Sequence, residues 1–489
     1  MADQLRLQRV SQELNLPPTV LTIFGSTGDL SLNQLLPTLV HMDNEGLLPK
    51  NFRLVCVGRR EFDTKAFIAF FVKNSRAKLD SKAVAKFAQR IIYFKGDIDE
   101  PNSFSELQHV IADHKIGKKH DCFSRLYYFA TAPEYFAPIA SILKHQGLLI
   151  GCGEHERTIR ILVEKPFGVD LKSAQTLNKE LLKFFTEKQI YRIDHYLGKE
   201  TVQNLLVTRF ANDFLEPIWN RDYIDHVELS VFEDVGVGNR LNFFDQTGTL
   251  KDLVQNHIVQ MLALIAMEEP KDLTPESIRS EKLGVLNALK KFTAKTISGN
   301  VVRGQYKEYK AEVGKRTETE TFVALKTFVE NKRWNGVPFY VKTGKRLGKK
   351  VTEISVHFKK QCNLFGTDRA SNVLTLRIQP DESVQLQINN KVPGFGIRLH
   401  TGSLDFGYKT AFLTEIPSAY ERLFLDFMQG DQRLFMSKEE IEAAWKFTDS
   451  LVNNWDNKNA PIQSYASGST GPKQAEAMIA RDDRKWWTK

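Results

Sequence analysis

Short β-branched or aromatic runs alternate with amphipathic stretches through the first third of the chain. "VLTIFG" (20–25), "FRLVCVG" (52–58), "RIIYFKGDI" (90–98), "RLYYFAT" (125–131) and "IRILVEKP" (159–166) read as strands, and 63–74 and 134–145 between them carry helical spacing. That alternation predicts a parallel α/β sheet. After about residue 195 the rhythm changes. Long helical patterns at 244–267 and 275–291 stand among strand-like runs at 225–234, 321–329, 353–359, 373–380 and 383–389. Strands this close together, without crossover helices, predict an antiparallel sheet. Helical spacing resumes at 416–429 and 437–452, and no repeat or low-complexity tract interrupts the chain.

With 489 residues the chain exceeds one comfortable core, so two domains are expected. Apolar residues at 42% and charged residues at 26% fit a globular protein. No apolar run approaches the ~20 residues that span a bilayer. "MADQLRLQRVSQELNLPP" lacks the apolar core of a signal peptide. Cys56, Cys122, Cys152 and Cys362 lie far apart with no CxxC, as unpaired thiols of a reducing compartment do, so a cytoplasmic protein is expected. A net charge of +9 points to an anionic partner: nucleic acid, membrane or a phosphorylated metabolite. No zinc-finger spacing, RNP string or basic arm supports nucleic acid. The densest basic stretch, "VKTGKRLGKK" (341–350), follows the apolar "VPFYV" and reads as the turn after a strand. Such a turn is ordinarily just solvated, and it leaves a small-anion site open.

Four strings carry chemistry. "FGSTGDL" places Gly25 and Gly28 where the first strand turns into the first helix. Glycine there lets backbone N–H groups approach a pyrophosphate at a helix N-terminus, although G-x-x-G alone also describes an ordinary tight βα turn. The second strand then ends at Gly58, Arg59 and Arg60, where an NAD-selective Rossmann unit tends to place an acid and where arginine suits the 2′-phosphate of NADP. "VEKPFG" ends the fifth strand, and Pro166 pushes Lys165 into extended geometry, through a trans or a cis bond. In "DLVQNH", His257 falls on the apolar stripe Leu250, Leu253 or Val254, Met261 and Leu264. A buried imidazole needs a partner, and a carboxylate partner makes it a general base. Asp252 lies about 140° around an ideal α-helix from His257, so it is expected to flank the same ligand from another side. "RIDHYLGKE" (192–200) packs six polar or charged side chain types around one glycine, more than packing alone requires.

Together these strings resemble the glucose-6-phosphate dehydrogenase family. "RIDHYLGKE" matches its signature letter for letter, and "FGSTGDL", "VEKPFG", "QNH", "GVPFYVKTGKRL", "AYERLFLDFM" and "GSTGP" follow collinearly from about residue 20 to 472. The resemblance implies an α/β Rossmann-like coenzyme domain over 1–194, then an α+β domain over 195–489 with a large, mainly antiparallel sheet. The latter would bind substrate and form a homodimer or homotetramer. The implied reaction is oxidation of D-glucose 6-phosphate to 6-phospho-D-glucono-1,5-lactone with NADP as acceptor, the first step of the oxidative pentose phosphate pathway. No metal is required, because the nicotinamide is the electron sink.

By the same resemblance His257 is the base and Asp194 its partner. Lys199, His195 and Tyr196 would hold the phosphate, Glu233 and Asp252 the sugar hydroxyls, and Lys165, Lys345 and Lys350 (or its neighbour Lys349) would complete the substrate pocket. The coenzyme would meet Gly25, Ser26, Thr27, Gly28, Asp29, Leu30, Arg59, Asp97, Ile98 and Lys165. One departure stands out: relatives commonly follow G-D-L with basic residues, whereas Ser31, Leu32, Asn33 and Gln34 carry no charge. Arg59, aided by Arg60, is then expected to be the chief reader of the 2′-phosphate. Another NADP-linked sugar oxidoreductase, or a catalytically inactive regulatory homologue, is the alternative.

Overall fold

Thr19–Phe24 (β1) is buried at every position, as a strand covered on both faces must be. In the computed structural model, which describes residues 16–112, 123–150, 159–361, 364–365, 369–412, 416–456 and 458–488, five more strands join it. They are Phe52–Gly58 (β2), Ile91–Lys95 (β3), Ser124–Phe129 (β4), Ile159–Val163 (β5) and Ile190–Ile193 (β6). They lie in the order β3-β2-β1-β4-β5-β6, all parallel, which is the doubly wound dinucleotide-binding arrangement. Cys122, Cys152, Cys362 and the first fifteen residues lie outside the described residues; Cys56 is a buried free thiol on β2. The predicted strands ending at 98, 131 and 166 each stop two or three residues sooner. There the chain leaves the sheet to form loops at its carboxyl edge. β6 escaped the periodicity because Arg192, wholly buried and doubly hydrogen-bonded to Glu187, breaks its apolar run.

The second sheet holds Ile224–Phe232 (β7), Val301–Tyr306 (β8), Phe322–Phe328 (β9), Pro338–Gly344 (β10), Val351–Phe358 (β11), Val373–Gln379 (β12), Ser383–Lys391 (β13) and Leu399–Gly407 (β14). Phe435–Met436 (β15) and Ile462–Tyr465 (β16) follow. Its order is β14-β13-β12-β11-β7-β10-β9-β8-β16, antiparallel except where β7 meets β10 and β8 meets β16. β15 instead pairs antiparallel with β6, and the helix Ala419–Gln429 sends Leu423, Phe424, Phe427 and Met428 into the same core as Leu21 and Ile23 of β1. The late chain therefore returns to cover the first sheet. On its other face Val20 and Phe24 share a core with β7 and with the helix Val259–Ala266, so one hydrophobic mass runs between the sheets.

The helical pattern at 244–267 breaks into three pieces: Leu241–Thr249, Leu250–Ile258 and Val259–Ala266. Gly248, at φ 69°, makes the first break, and a Cβ there would lie 2.4 Å from the buried Glu320 carboxylate. The middle piece is a π-helix, with Val259 N–H reaching the Val254 carbonyl. No helix among the described residues is long and apolar enough to cross a membrane.

Candidate active site

Four segments converge between the sheets: the end of β5, the turn after β6, the π-helix and the start of the turn after β10. Asp194 and His257 are both buried, and His257 Nδ1 lies 2.8 Å from Asp194 Oδ1. Burial raises the Asp194 carboxyl, but the His257 charge and hydrogen bond and the Tyr196 backbone N–H outweigh it, holding the group down to about 2. An ionised carboxylate accepts the Nδ1 proton and leaves the Nε2 lone pair to act. Burial lowers the His257 imidazole, Asp194 opposes that, and the Lys165 ammonium adds to it, with a net fall.

Lys165 follows β5, through a cis Lys165–Pro166 bond, and its Nζ stands 3.0 Å from His257 Nε2 and 3.5 Å from Asp252 Oδ1. The expectation that Asp252 sits far around the helix from His257 fails here. A π-turn stacks residues five apart, so both side chains face Lys165. Burial raises Asp252, but Lys165, Arg240 and Lys345 outweigh that and keep it well below the usual carboxylate range. Arg240 Nη2 lies 3.1 Å from Asp252 Oδ1, and Lys345 Nζ lies 2.6 Å from Glu233 Oε2 and 3.9 Å from Asp252 Oδ2. Two carboxylates are thus fixed as acceptors by three cations.

Lys199 caps the helix Glu200–Phe210, whose free N–H groups favour an anion. Its Nζ donates to Gln379 Oε1 at 2.5 Å and lies over the Tyr196 ring. The Tyr196 ring stands 4.5 Å from that of His257 and joins the two ends of the cleft. Burial lowers Lys199, the Glu382 charge opposes that and the Lys350 charge adds to it, whereas the charge of Lys349 acts on Lys342. Lys350 is therefore the basic-turn residue whose charge is felt at Lys199. His195 turns its Nε2 toward Glu164 and Tyr420.

At the carboxyl edge of the first sheet a cavity of about 250 Å³ is lined by Gly25, Thr27, Gly28, Arg59, Asp97 and Ile98. Gly96, Thr131, Ala132 and Tyr135 are also part of its wall. Gly25 has φ +85°, and a Cβ there would lie 2.6 Å from the Ala130 carbonyl, so only glycine lets the turn approach β4 this closely. These features fit a dinucleotide. Ser26, Asp29 and Leu30 stand outside the lining: the Ser26 hydroxyl donates to the Val57 carbonyl, and Asp29 pairs with Arg76. Arg60 stacks on Phe70, which leaves Arg59 to face the cavity. The sequence reasoning missed Glu164, Arg240, Gln379, Tyr420 and Thr352, whose hydroxyl lies 3.5 Å from that of Tyr196. Glu164 and Tyr420 were in quoted motifs, but nothing in their spacing set them apart.

Elsewhere, His226 and His357 lie across from each other on β7 and β11, each 3.2 Å from Glu228 Oε1. Their rings stack 4.0 Å apart at 13°, so their lone pairs do not converge on one point as a metal would require.

The N-terminal "Glucose-6-phosphate dehydrogenase, NAD binding domain" model matches residues 22–204, and the C-terminal domain model of the same family matches 206–487. A glucose-6-phosphate 1-dehydrogenase of Chlamydia pneumoniae is 41% identical, with 96% of each chain covered. One from Mycolicibacterium smegmatis is 40% identical, over 96% of this chain and 97% of the relative. Among solved structures, a glucose-6-phosphate dehydrogenase in complex with glucose 6-phosphate superposes with a TM-score of 0.89 at 32% identity, covering 96% of this chain and 98% of the other. The glucose-6-phosphate 1-dehydrogenase of Mycobacterium avium gives 0.84 at 32% identity, over 97% and 99%.

Proposed function

The chain belongs to the glucose-6-phosphate dehydrogenase family, and we propose from that premise how its residues divide the reaction. The protein oxidises D-glucose 6-phosphate to 6-phospho-D-glucono-1,5-lactone with reduction of NADP. The observation that carries the division of roles is the buried Asp194–His257 pair, with its Nε2 lone pair turned toward Lys165. His257 takes the C1 hydroxyl proton at Nε2, and Asp194 stabilises the imidazolium that forms. Bound NADP supplies the electron sink for C1. Lys165 donates to the Nε2 lone pair, so the substrate hydroxyl must displace it before the proton can move.

Asp252 and Glu233 accept hydrogen bonds from sugar hydroxyls, and Lys345 and Arg240 hold them in place. The phosphate, with roughly −1.5 to −2 charge at neutral pH, sits on Lys199, His195 and Tyr196 within reach of Lys350. Within Gly25–Leu30 the Gly25 and Ser26 N–H groups donate to the Val57 carbonyl and that of Gly28 to the Gly25 carbonyl, so the turn meets the pyrophosphate through its other backbone N–H groups. Asp97, Ile98 and Lys165 flank the rest of the coenzyme, and Arg59 reads the 2′-phosphate with two hydrogen bonds. The division at residue 194 is supported by the change from parallel to antiparallel sheet, with 419–436 docking back. A homodimer or homotetramer across the second sheet is supported by the exposed Phe395, Ile397, Leu404 and Phe406 near its free edge strand β14. A cytoplasmic location fits the isolated cysteines.

NADPH absorbance with glucose 6-phosphate, unphosphorylated glucose and other sugar phosphates tests the reading. Turnover should be fastest with glucose 6-phosphate. No turnover, or a clear preference for another sugar phosphate, would defeat it.

A further inference from the structure

β5 runs out into Glu164 and Lys165, and the strand's alternation sends their side chains opposite ways. Lys165 reaches His257 and Asp252; Glu164 turns to the other side, behind His195. A buried carboxylate behind a phosphate site is costly to desolvate and repels the ligand, unless a proton-bearing group stands between them. Glu164 is 6% exposed. Tyr128 donates its hydroxyl to Glu164 Oε1. Oε2 lies 3.5 Å from His195 Nε2, and the Tyr420 hydroxyl lies 3.3 Å from that same nitrogen. Burial and the Glu164 charge push both tyrosines up, so they remain hydroxyl donors. The other ring nitrogen of His195, Nδ1, is buried with no hydrogen-bond partner.

We propose that Glu164, braced by Tyr128 and Tyr420, is a positioning residue for substrate binding: it holds the proton on His195 Nε2 and fixes the ring, so that Nδ1 is kept for the sugar phosphate. With Nε2–H turned to Glu164, Nδ1 donates to a phosphate oxygen as the second N–H of an imidazolium, and the carboxylate at Nε2 and the phosphate at Nδ1 together favour that doubly protonated ring. The cleft then contains two carboxylate–imidazole pairs built for different ends. Asp194 sets His257 for proton transfer at C1, and Glu164 sets His195 for the phosphate. This rests on the reading of His195 as a phosphate ligand.

Initial rates are measured for wild type, Glu164→Gln, His195→Asn and the double variant, varying each substrate. Glu164→Gln should raise KM for glucose 6-phosphate about tenfold, the worth of one hydrogen bond to a charged group, while kcat and the KM for NADP stay put. The double variant should be no worse than His195→Asn alone, because one substitution acts through the other. An unchanged KM in Glu164→Gln beside a raised one in His195→Asn overturns the role of Glu164, as does a double variant whose effects multiply. An unchanged KM in His195→Asn removes His195 from the phosphate site, and the inference falls with it. If Glu164→Gln does not fold, ¹⁵N-histidine spectra of the wild-type enzyme decide, with His195→Asn assigning the signal. A protonated Nε2 is expected, and an unprotonated one overturns the proposal.

Discussion

Asp194→Asn removes one charge and keeps the side chain's shape, so it isolates what the carboxylate does for His257. A carboxyl held at about 2 rather than its ordinary 3.8 corresponds to roughly 2.5 kcal/mol in favour of the ionised form. Part of that comes from the Tyr196 backbone N–H at 2.7 Å, which an asparagine oxygen can still accept. The remainder is coupling to the imidazole, and it grows as His257 takes up the substrate proton. Losing about 2 kcal/mol of it at the transition state costs roughly thirtyfold in kcat. An asparagine that donates to Nδ1 would select the wrong tautomer and deepen the loss, so about a hundredfold is expected. His257→Asn should lose more, within the ~10²–10⁴-fold worth of a general base. The pH profile carries the sharper test. Burial and Lys165 lower the His257 imidazole and Asp194 raises it. Without Asp194 the lowering causes act unopposed, so the acid limb of kcat/KM must move to lower pH as the plateau drops. Lys165→Met removes a lowering cause and must move the limb to higher pH, whatever it does to the plateau. Initial rates of NADPH formation from about pH 5 to pH 9, at glucose 6-phosphate below KM, read both. Limbs that move together, or an Asp194→Asn enzyme with near-normal kcat, would refute the assignment.

Lys199→Ala should raise KM for glucose 6-phosphate far more than KM for NADP, and leave the slow oxidation of unphosphorylated glucose little changed; equal rises would make Lys199 structural. Arg59→Ala should erase most of the preference for NADP over NAD by weakening NADP alone, measured as the ratio of kcat/KM values, because Arg60 is engaged with Phe70; an unchanged ratio would place the 2′-phosphate elsewhere. Glu320, raised by burial from 4.5 to about 6, costs stability as it ionises through that window. Glu320→Gln keeps an acceptor for Leu250 N–H and should stabilise the fold at neutral pH by about 2 kcal/mol, read as a higher Tm, with the gain vanishing below about pH 4.5. An equal Tm at pH 7.5 would sink that account.

The alternation of the first third was legible because each strand of a parallel sheet is apolar throughout, and β1, β2 and β4 are buried nearly end to end. β14 was not legible: its residues are mostly exposed, so no buried face imposes a period of two. Arg192 hid β6 in the opposite way, as a buried charge whose partner lies outside the strand. Residues that act through a partner distant in sequence were equally silent. Glu164 and Tyr420 are 256 positions apart in the chain and come together beside His195.

Asp252 and His257 were legible as chemistry and illegible as geometry. An ideal helix of 3.6 residues per turn separates side chains five apart, yet the roles proposed for His257 and Asp252 need both on one wall of the cleft. Both demands cannot hold on an α-helix, and the chain meets the chemical one by widening the turn. The widened turn leaves its first N–H groups short of partners, and Glu320 supplies one through Leu250 while Gly248 yields the space that carboxylate occupies. The π-helix is therefore a feature with its own supports, placed where Lys165 must touch both Asp252 and His257. In this sequence the trace of the turn is a reactive residue on an apolar stripe, a second one five positions before it and off that stripe, and Gly248 shortly before both.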